Sequence, residues 1–164
     1  MNSDVASLQE QVGHLLRARG WKLAVAESCT GGLLADRLTD VPGSSDYFIG
    51  GVVAYAYEAK VALLGVSWNT LRAFGAVSKE TVIEMARGAR TVLGANIGVS
   101  ISGVAGPGGG LPSKPVGTTW IGLSTPFEDH AHLVTFDGDR RHNKEAASDQ
   151  ALRLLIELLQ NQSR

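Results

Sequence analysis

Among its 164 residues the chain has one cysteine, Cys29, so an internal disulfide is excluded and a single thiol cannot make a Cys-based metal site on its own. Net charge is also lacking. Fifteen basic against 16 acidic residues leave a formal charge of −1, with no basic field to hold nucleic acid, and any bound anion is expected to be small. No apolar run approaches the roughly 18 residues of a membrane helix, and the first residues do not read as a secretory leader, so a cytoplasmic protein without a membrane partner is expected. Histidine is scarce, and none of the 4 lies in the stretch "GSSDYFIGGVVAYAYEAK", where two serines precede a lysine.

Glycine is abundant instead, at 20 residues, and its clusters read as tight loops. The length fits one domain, residues 1–164, able to bury roughly two-thirds of its unfolded surface in one core. Val5, Leu8, Val12, Leu15 and Leu16 follow helical spacing up to Gly20. "WKLAVAES" reads as a buried strand, and Leu33, Leu34 and Leu38 as a helix ending before Pro42. "YFIGGVVAYAY" reads as a second strand with a bulge or hairpin bend at Gly50–Gly51. Ser78 caps a long helix whose face is Val82, Met85, Ala86, Ala89, Val92 and Leu93. "IGVSISG", a Gly-rich loop, and the strands "TTWIGLS" and "AHLVTF" come next, the last two read as antiparallel neighbours. A final helix from about Arg140 points Ala147, Ala151, Leu154, Leu155 and Leu158 inward. The alternation predicts an α/β fold, a three-layer α/β/α sandwich with a mixed, mostly parallel sheet.

"ESCTGG", "GSSDYFIGG" and "SGVAGPGGG" each read as following a strand, and in open α/β sheets ligands settle beyond the carboxyl ends of strands. Turn formation by Gly and Ser explains any one of them alone. If "YEAKVALLG" is helical, Lys60 shares its side with Ala56, Tyr57, Leu63 and Leu64. Burial there lowers an amine's pKa and frees it as a general base, unless the lysine snorkels to water. Ser–Lys pairs are a variant of triad logic, since a serine needs a base before it attacks.

Competing motifs fail: "GVSIS" lacks the closing glycine of a nucleophile elbow, and Pro112 and Pro115 break any P-loop in "GGGLPSKPVG". His130 and His132 share a strand face but no third metal ligand stands out, so no metal is expected. Cys29 reads as a nucleophile at a helix start or a small packing residue in a turn. "GDRRHNK" opens the last helix with Asp139 as cap and Arg140, Arg141 and Lys144 nearby, a phosphate site or a solvated basic turn.

Together "AESCTGG", "PGSSDYF", "YAYEAK", "FGAVSKET", "SISGVAGPGGG", "KPVGTTWIGL" and "GDR" resemble, in that order and over nearly the whole chain, the CinA C-terminal domain family, whose members deamidate nicotinamide mononucleotide. The resemblance implies the stand-alone amidohydrolase form, with Ser45 as nucleophile, Lys60 as base and Tyr55 assisting. It implies substrate contacts at Ser28, Thr30, Gly31, Ser102, Gly103 and Arg140, no cofactor, and a homo-oligomer such as a dimer. Two departures stand out: the family often has threonine at Ser102 and a second arginine at Lys144, where lysine keeps the charge but loses the bidentate fork. A nucleotide-binding module without turnover and an amidase of different substrate are the alternatives.

Overall fold

Residues 5–161 are described by a computed structural model. α1 (Leu8–Arg19) starts on Ser7, whose hydroxyl accepts the Glu10 N–H while the Glu10 carboxylate accepts the Ser7 N–H. It stops at Gly20, where φ is 64° and a side chain would be strained. Then come β1 (Leu23–Glu27), α2 (Leu33–Thr39), a short 3-10 turn (Ser44–Asp46), β2 (Phe48–Val53), α3 (Tyr57–Leu64), α4 (Trp68–Phe74) and α5 (Lys79–Val92). β3 (Ile97–Gly103), β4 (Thr118–Ser124), β5 (Asp129–Thr135) and α6 (Arg140–Asn161) complete the described residues.

The five strands lie in the order β2-β1-β3-β4-β5. β1 is parallel to β2 and β3, whereas β4 runs against both β3 and β5, so the sheet is mixed, with a parallel centre, and four of its five strands point the same way. Side chains of β1 alternate between its faces. Val25 joins Val12, Leu34, Tyr47 and Leu155 under α1, α2 and α6, while Ala24 and Ala26 join Leu64, Leu71, Met85 and Ala89 under α3, α4 and α5. This is the three-layer α/β/α sandwich that the alternation predicts, and no helix among the described residues is long and apolar enough to cross a membrane.

Four details differ from the sequence pattern. β2 stops at Val53, because the Ala54 N–H makes a last bond to Glu27 and Tyr57 already begins α3. α4 is an additional helix, capped by the Ser67 hydroxyl on the Asn69 N–H. Val92 closes α5 on its solvent side, 62% exposed, and Val5 lies before α1, 86% exposed. The bend at Gly50–Gly51 is a bulge and not a hairpin, since β2 pairs parallel to β1 with its register slipping between Phe48 and Gly50.

Glycine sets how closely α5 approaches its neighbours. A Cβ at Gly98 or Gly122 would lie 2.1 Å from the Ala86 carbonyl oxygen or 2.4 Å from that of Val82, so α5 lies almost on the backbone of β3 and β4. A Cβ at Gly88, within α5, would meet the Leu64 carbonyl oxygen of α3 at 2.0 Å. Gly88→Ala is therefore expected to destabilise the fold by about 1–3 kcal/mol, although alanine is the better helix former. Urea unfolding checks this, and an unchanged midpoint would mean that α3 is free to move away from α5.

Candidate functional site

Glu27 ends an otherwise apolar strand. Its buried carboxylate accepts the N–H groups of Leu34 at 2.8 Å and Ala35 at 3.0 Å, satisfying two orphan donors at the start of α2. The chain between strand and helix turns through Gly31 and Gly32, whose φ values of 63° and 107° favour glycine. Ser28 opens this turn. Its N–H donates to the Ile101 carbonyl at 2.9 Å, extending the β1–β3 ladder by a residue and setting Ser28 beside Ser102. Alternation from Ala24 and Ala26 carries the Ser28 side chain to the α3 and α5 side of the sheet.

α3 brings Lys60 to the same place. Its side chain is wholly buried, and Nζ lies 2.9 Å from Ser28 Oγ, 2.8 Å from the Ala54 carbonyl oxygen and 2.9 Å from that of Tyr55. Among the described residues it forms no ion pair with a carboxylate. Burial lowers its pKa from 10.5 to about 8. Protonated, Lys60 donates to all three oxygens; once it loses a proton, its two remaining N–H bonds go to the carbonyls, which can only accept, and its lone pair is left for the Ser28 hydroxyl. Lys60 therefore does not snorkel. Of the helical neighbours that suggested its burial only Leu64 is buried, whereas Tyr57 and Leu63 are 40% and 50% exposed. What buries Lys60 is its aim at the sheet end.

Ser45 does not join this pair. α2 is the crossover between the parallel strands β1 and β2, so "GSSDYF" precedes β2 and sits at the opposite end of the sheet from Lys60. The six residues of β2 separate them by roughly 20 Å at about 3.3 Å per residue. Ser45 is an exposed turn residue. Its neighbour Asp46 accepts from Arg17 at 3.3 Å through its carboxylate and from the Lys22 ammonium through its carbonyl, and among the described residues the Ser45 hydroxyl is hydrogen-bonded to neither. The expectation of three loops meeting in one crevice fails for this one, because chain order concealed which end of β2 it occupies.

Tyr55 contributes its carbonyl to Lys60, while its ring is 62% exposed and its hydroxyl accepts from Arg140 at 3.2 Å. The other arm of Arg140 donates to the Gly106 carbonyl at 2.8 Å. Asn143, also on α6, holds the Gly-rich loop in place by donating to the carbonyls of Ala105 and Gly138, both at 3.0 Å. Ser102 and Thr30 are buried, and their hydroxyl oxygens have no hydrogen-bond partner. Gly31 is exposed and lies near the Lys144 ammonium, which a Cβ there would approach to 3.8 Å. A Cβ at Gly103 would meet Thr119 Oγ1 at 2.6 Å, so this glycine serves close strand packing.

Cys29 is a packing residue: burial pushes its thiol up to about 11, away from a reactive thiolate. His130 and His132 lie on β5 with ring centroids 6.5 Å apart, and among the described residues no third ligand joins them. Sequence reasoning missed Glu27 and the carbonyls of Ala54 and Tyr55. An acid ending an apolar strand ahead of a glycine turn was the available signal for the first. Carbonyls carry no residue-type signal at all.

The profile of the CinA C-terminal domain matches residues 5–159. CinA-like proteins of Chloroherpeton thalassium and Chlorobaculum tepidum are 51% identical over 156 residues and 52% identical over 155. These matches take in 93% and 92% of this chain but 37% of each relative, so the chain spans little more than a third of their length. A crystal structure of a competence-damaged protein (CinA) superfamily protein from Klebsiella pneumoniae superposes with a TM-score of 0.91 at 38% identity, covering 94% of this chain and 96% of that one. A competence/damage inducible protein from Agrobacterium tumefaciens gives 0.88 at 37% identity, covering 96% and 99%.

Glu27→Ala leaves the α2 donors without their carboxylate and is expected to cost about 1.5–3 kcal/mol, the range for hydrogen bonds to a charged group. Thermal unfolding beside hydrogen exchange at Leu34 and Ala35 checks this. Unchanged protection of both amides would show that the carboxylate does not hold the turn.

Proposed function

Because the chain belongs to the CinA C-terminal domain family, we propose that it is a Ser–Lys amidohydrolase acting on nicotinamide mononucleotide, with Ser28 as nucleophile and Lys60 as its base. The observation that carries this is the Lys60 amine, buried without a carboxylate and 2.9 Å from Ser28 Oγ. A structural lysine in such a place would keep a counter-charge, whereas one made to accept a proton does not need it.

Neutral Lys60 takes the Ser28 proton as Oγ attacks the carboxamide carbon. The tetrahedral intermediate collapses as the Lys60 ammonium returns that proton to the departing nitrogen, and ammonia leaves. Water, deprotonated by the same amine, then attacks the acyl-serine, releasing nicotinate mononucleotide and restoring Ser28. The unpartnered hydroxyl of Ser102, beside Ser28, is available to the amide, and Arg140, without a carboxylate partner among the described residues, to the phosphate. Deamidation at this site would place the protein in the recycling of pyridine nucleotides.

Ser28→Ala and Lys60→Met are expected to abolish ammonia release from nicotinamide mononucleotide, and Ser45→Ala to leave it intact. Loss with Ser45→Ala and not with Ser28→Ala would overturn the assignment of the nucleophile. Binding by calorimetry without turnover by the wild type would instead favour a nucleotide-binding module.

The pH profile follows from the base. Protonated Lys60 has no lone pair, so with a pKa of about 8 kcat/KM should rise roughly tenfold per pH unit below that value and level off above it. The unfolded chain holds this proton up to the ordinary 10.5, so it binds more protons than the fold between about 8 and 10.5, and stability gains from Lys60 as pH rises through that window. A profile flat from pH 6 to 9 would sink Lys60 as the base.

A further inference from the structure

Sheet order places β1 between β2 and β3, so the end of β1, where Ser28 sits, is flanked by the chain leaving β2 on one side and the chain leaving β3 on the other. Tyr55 belongs to the first of these segments and Gly106 to the second. Arg140 holds both, one nitrogen on the Tyr55 hydroxyl at 3.2 Å and the other on the Gly106 carbonyl at 2.8 Å. Its guanidinium thus ties together the two banks of the site, and Ser28, at the end of the strand between them, is only 8% exposed.

The tie is easily exchanged. Both partners are neutral, and the Tyr55 ring that carries one of them is mostly in solvent, so releasing it forfeits little packing. The present bonds carry charge on the donor alone, whereas an anion meets the guanidinium with opposite charge and with two oxygens in the planar fork geometry that it favours. A route for it exists, because Arg140 also lines a cleft of about 570 Å³ with Gly106, Pro107, Val116 and Asp139.

We propose that Arg140 selects the substrate class by gating Ser28: a carboxamide reaches the serine only when it carries an anionic group, of the phosphomonoester kind, that draws the guanidinium off Tyr55 and Gly106. Resting on the amidohydrolase function above, this deepens it, since phosphate becomes the key to the site as well as a handle on the ligand. A gate and a handle differ in what happens to neutral amides. Removing a handle leaves them as poor as before, whereas removing a gate makes them better substrates.

Turnover of nicotinamide mononucleotide and of its dephosphorylated riboside is compared in the wild type and Arg140→Gln. kcat/KM for the nucleotide is expected to fall and that for the riboside to rise roughly tenfold, the worth of a net hydrogen bond. In parallel, labelling of Ser28 by a small neutral sulfonyl fluoride is followed by mass spectrometry. Tyr55→Phe, which cuts one arm of the tie on an exposed ring, should label faster than the wild type, and inorganic phosphate should speed the wild type while leaving Tyr55→Phe unmoved. Riboside turnover unchanged in Arg140→Gln, with equal labelling in wild type and Tyr55→Phe, would overturn the gate and leave the Ser28–Lys60 chemistry standing. Failure of Ser28 to label in every form, with no turnover of either substrate, would overturn both.

Discussion

A lysine amine sealed from water without a counter-charge is a cost that this fold carries, and the structure around it is arranged to hold it. Ionised, the group would carry a desolvation penalty of several kcal/mol, which no nearby carboxylate offsets. The fold answers with geometry, presenting two backbone carbonyls and one hydroxyl to Nζ and letting burial draw its pKa down to about 8. Those acceptors come from the ends of β1 and β2, so the lysine reports directly on how well the two strands are paired. α3, which carries it, is pressed down by α5 at the Gly88 contact, and α5 in turn lies on Gly98 and Gly122.

Charge at the start of α2 is handled by the opposite device. Glu27 is a buried carboxylate that meets helix N–H donors, so it keeps its hydrogen bonds without any cation. Between them Glu27 and Lys60 fix Ser28 from both sides, the first through the turn that follows it and the second through its hydroxyl. The serine is therefore held by two strands, two helices and a ladder bond to β3.

Much of the fold was legible because periodicity is local. The apolar stripes of α1, α5 and α6 and the strand pair at β4 and β5 can be read within windows of a dozen residues. Lys60 was legible too, as a lysine on an apolar segment, although the helical neighbours pointed to it for the wrong reason. The serine that meets Lys60 was not, because "GSS" precedes Lys60 by only fifteen residues while the intervening strand carries it to the far end of the sheet. "ESCTGG", 32 residues from the lysine, is the neighbour in space. Parallel pairing through a helical crossover leaves no mark on either segment alone, which is why the contact between Ser28 and Lys60 was not legible.

The crossover also governs when the site comes into being. Ser28 and Lys60 belong to segments that meet only after β1 and β2 have aligned side by side and α3 has settled on the sheet, a closure between distant parts of the chain. Until then the lysine is hydrated and keeps its ordinary basicity, and the serine has no partner. The pairing of Ser28 with Lys60 is thus a property of the assembled sheet and of neither segment alone.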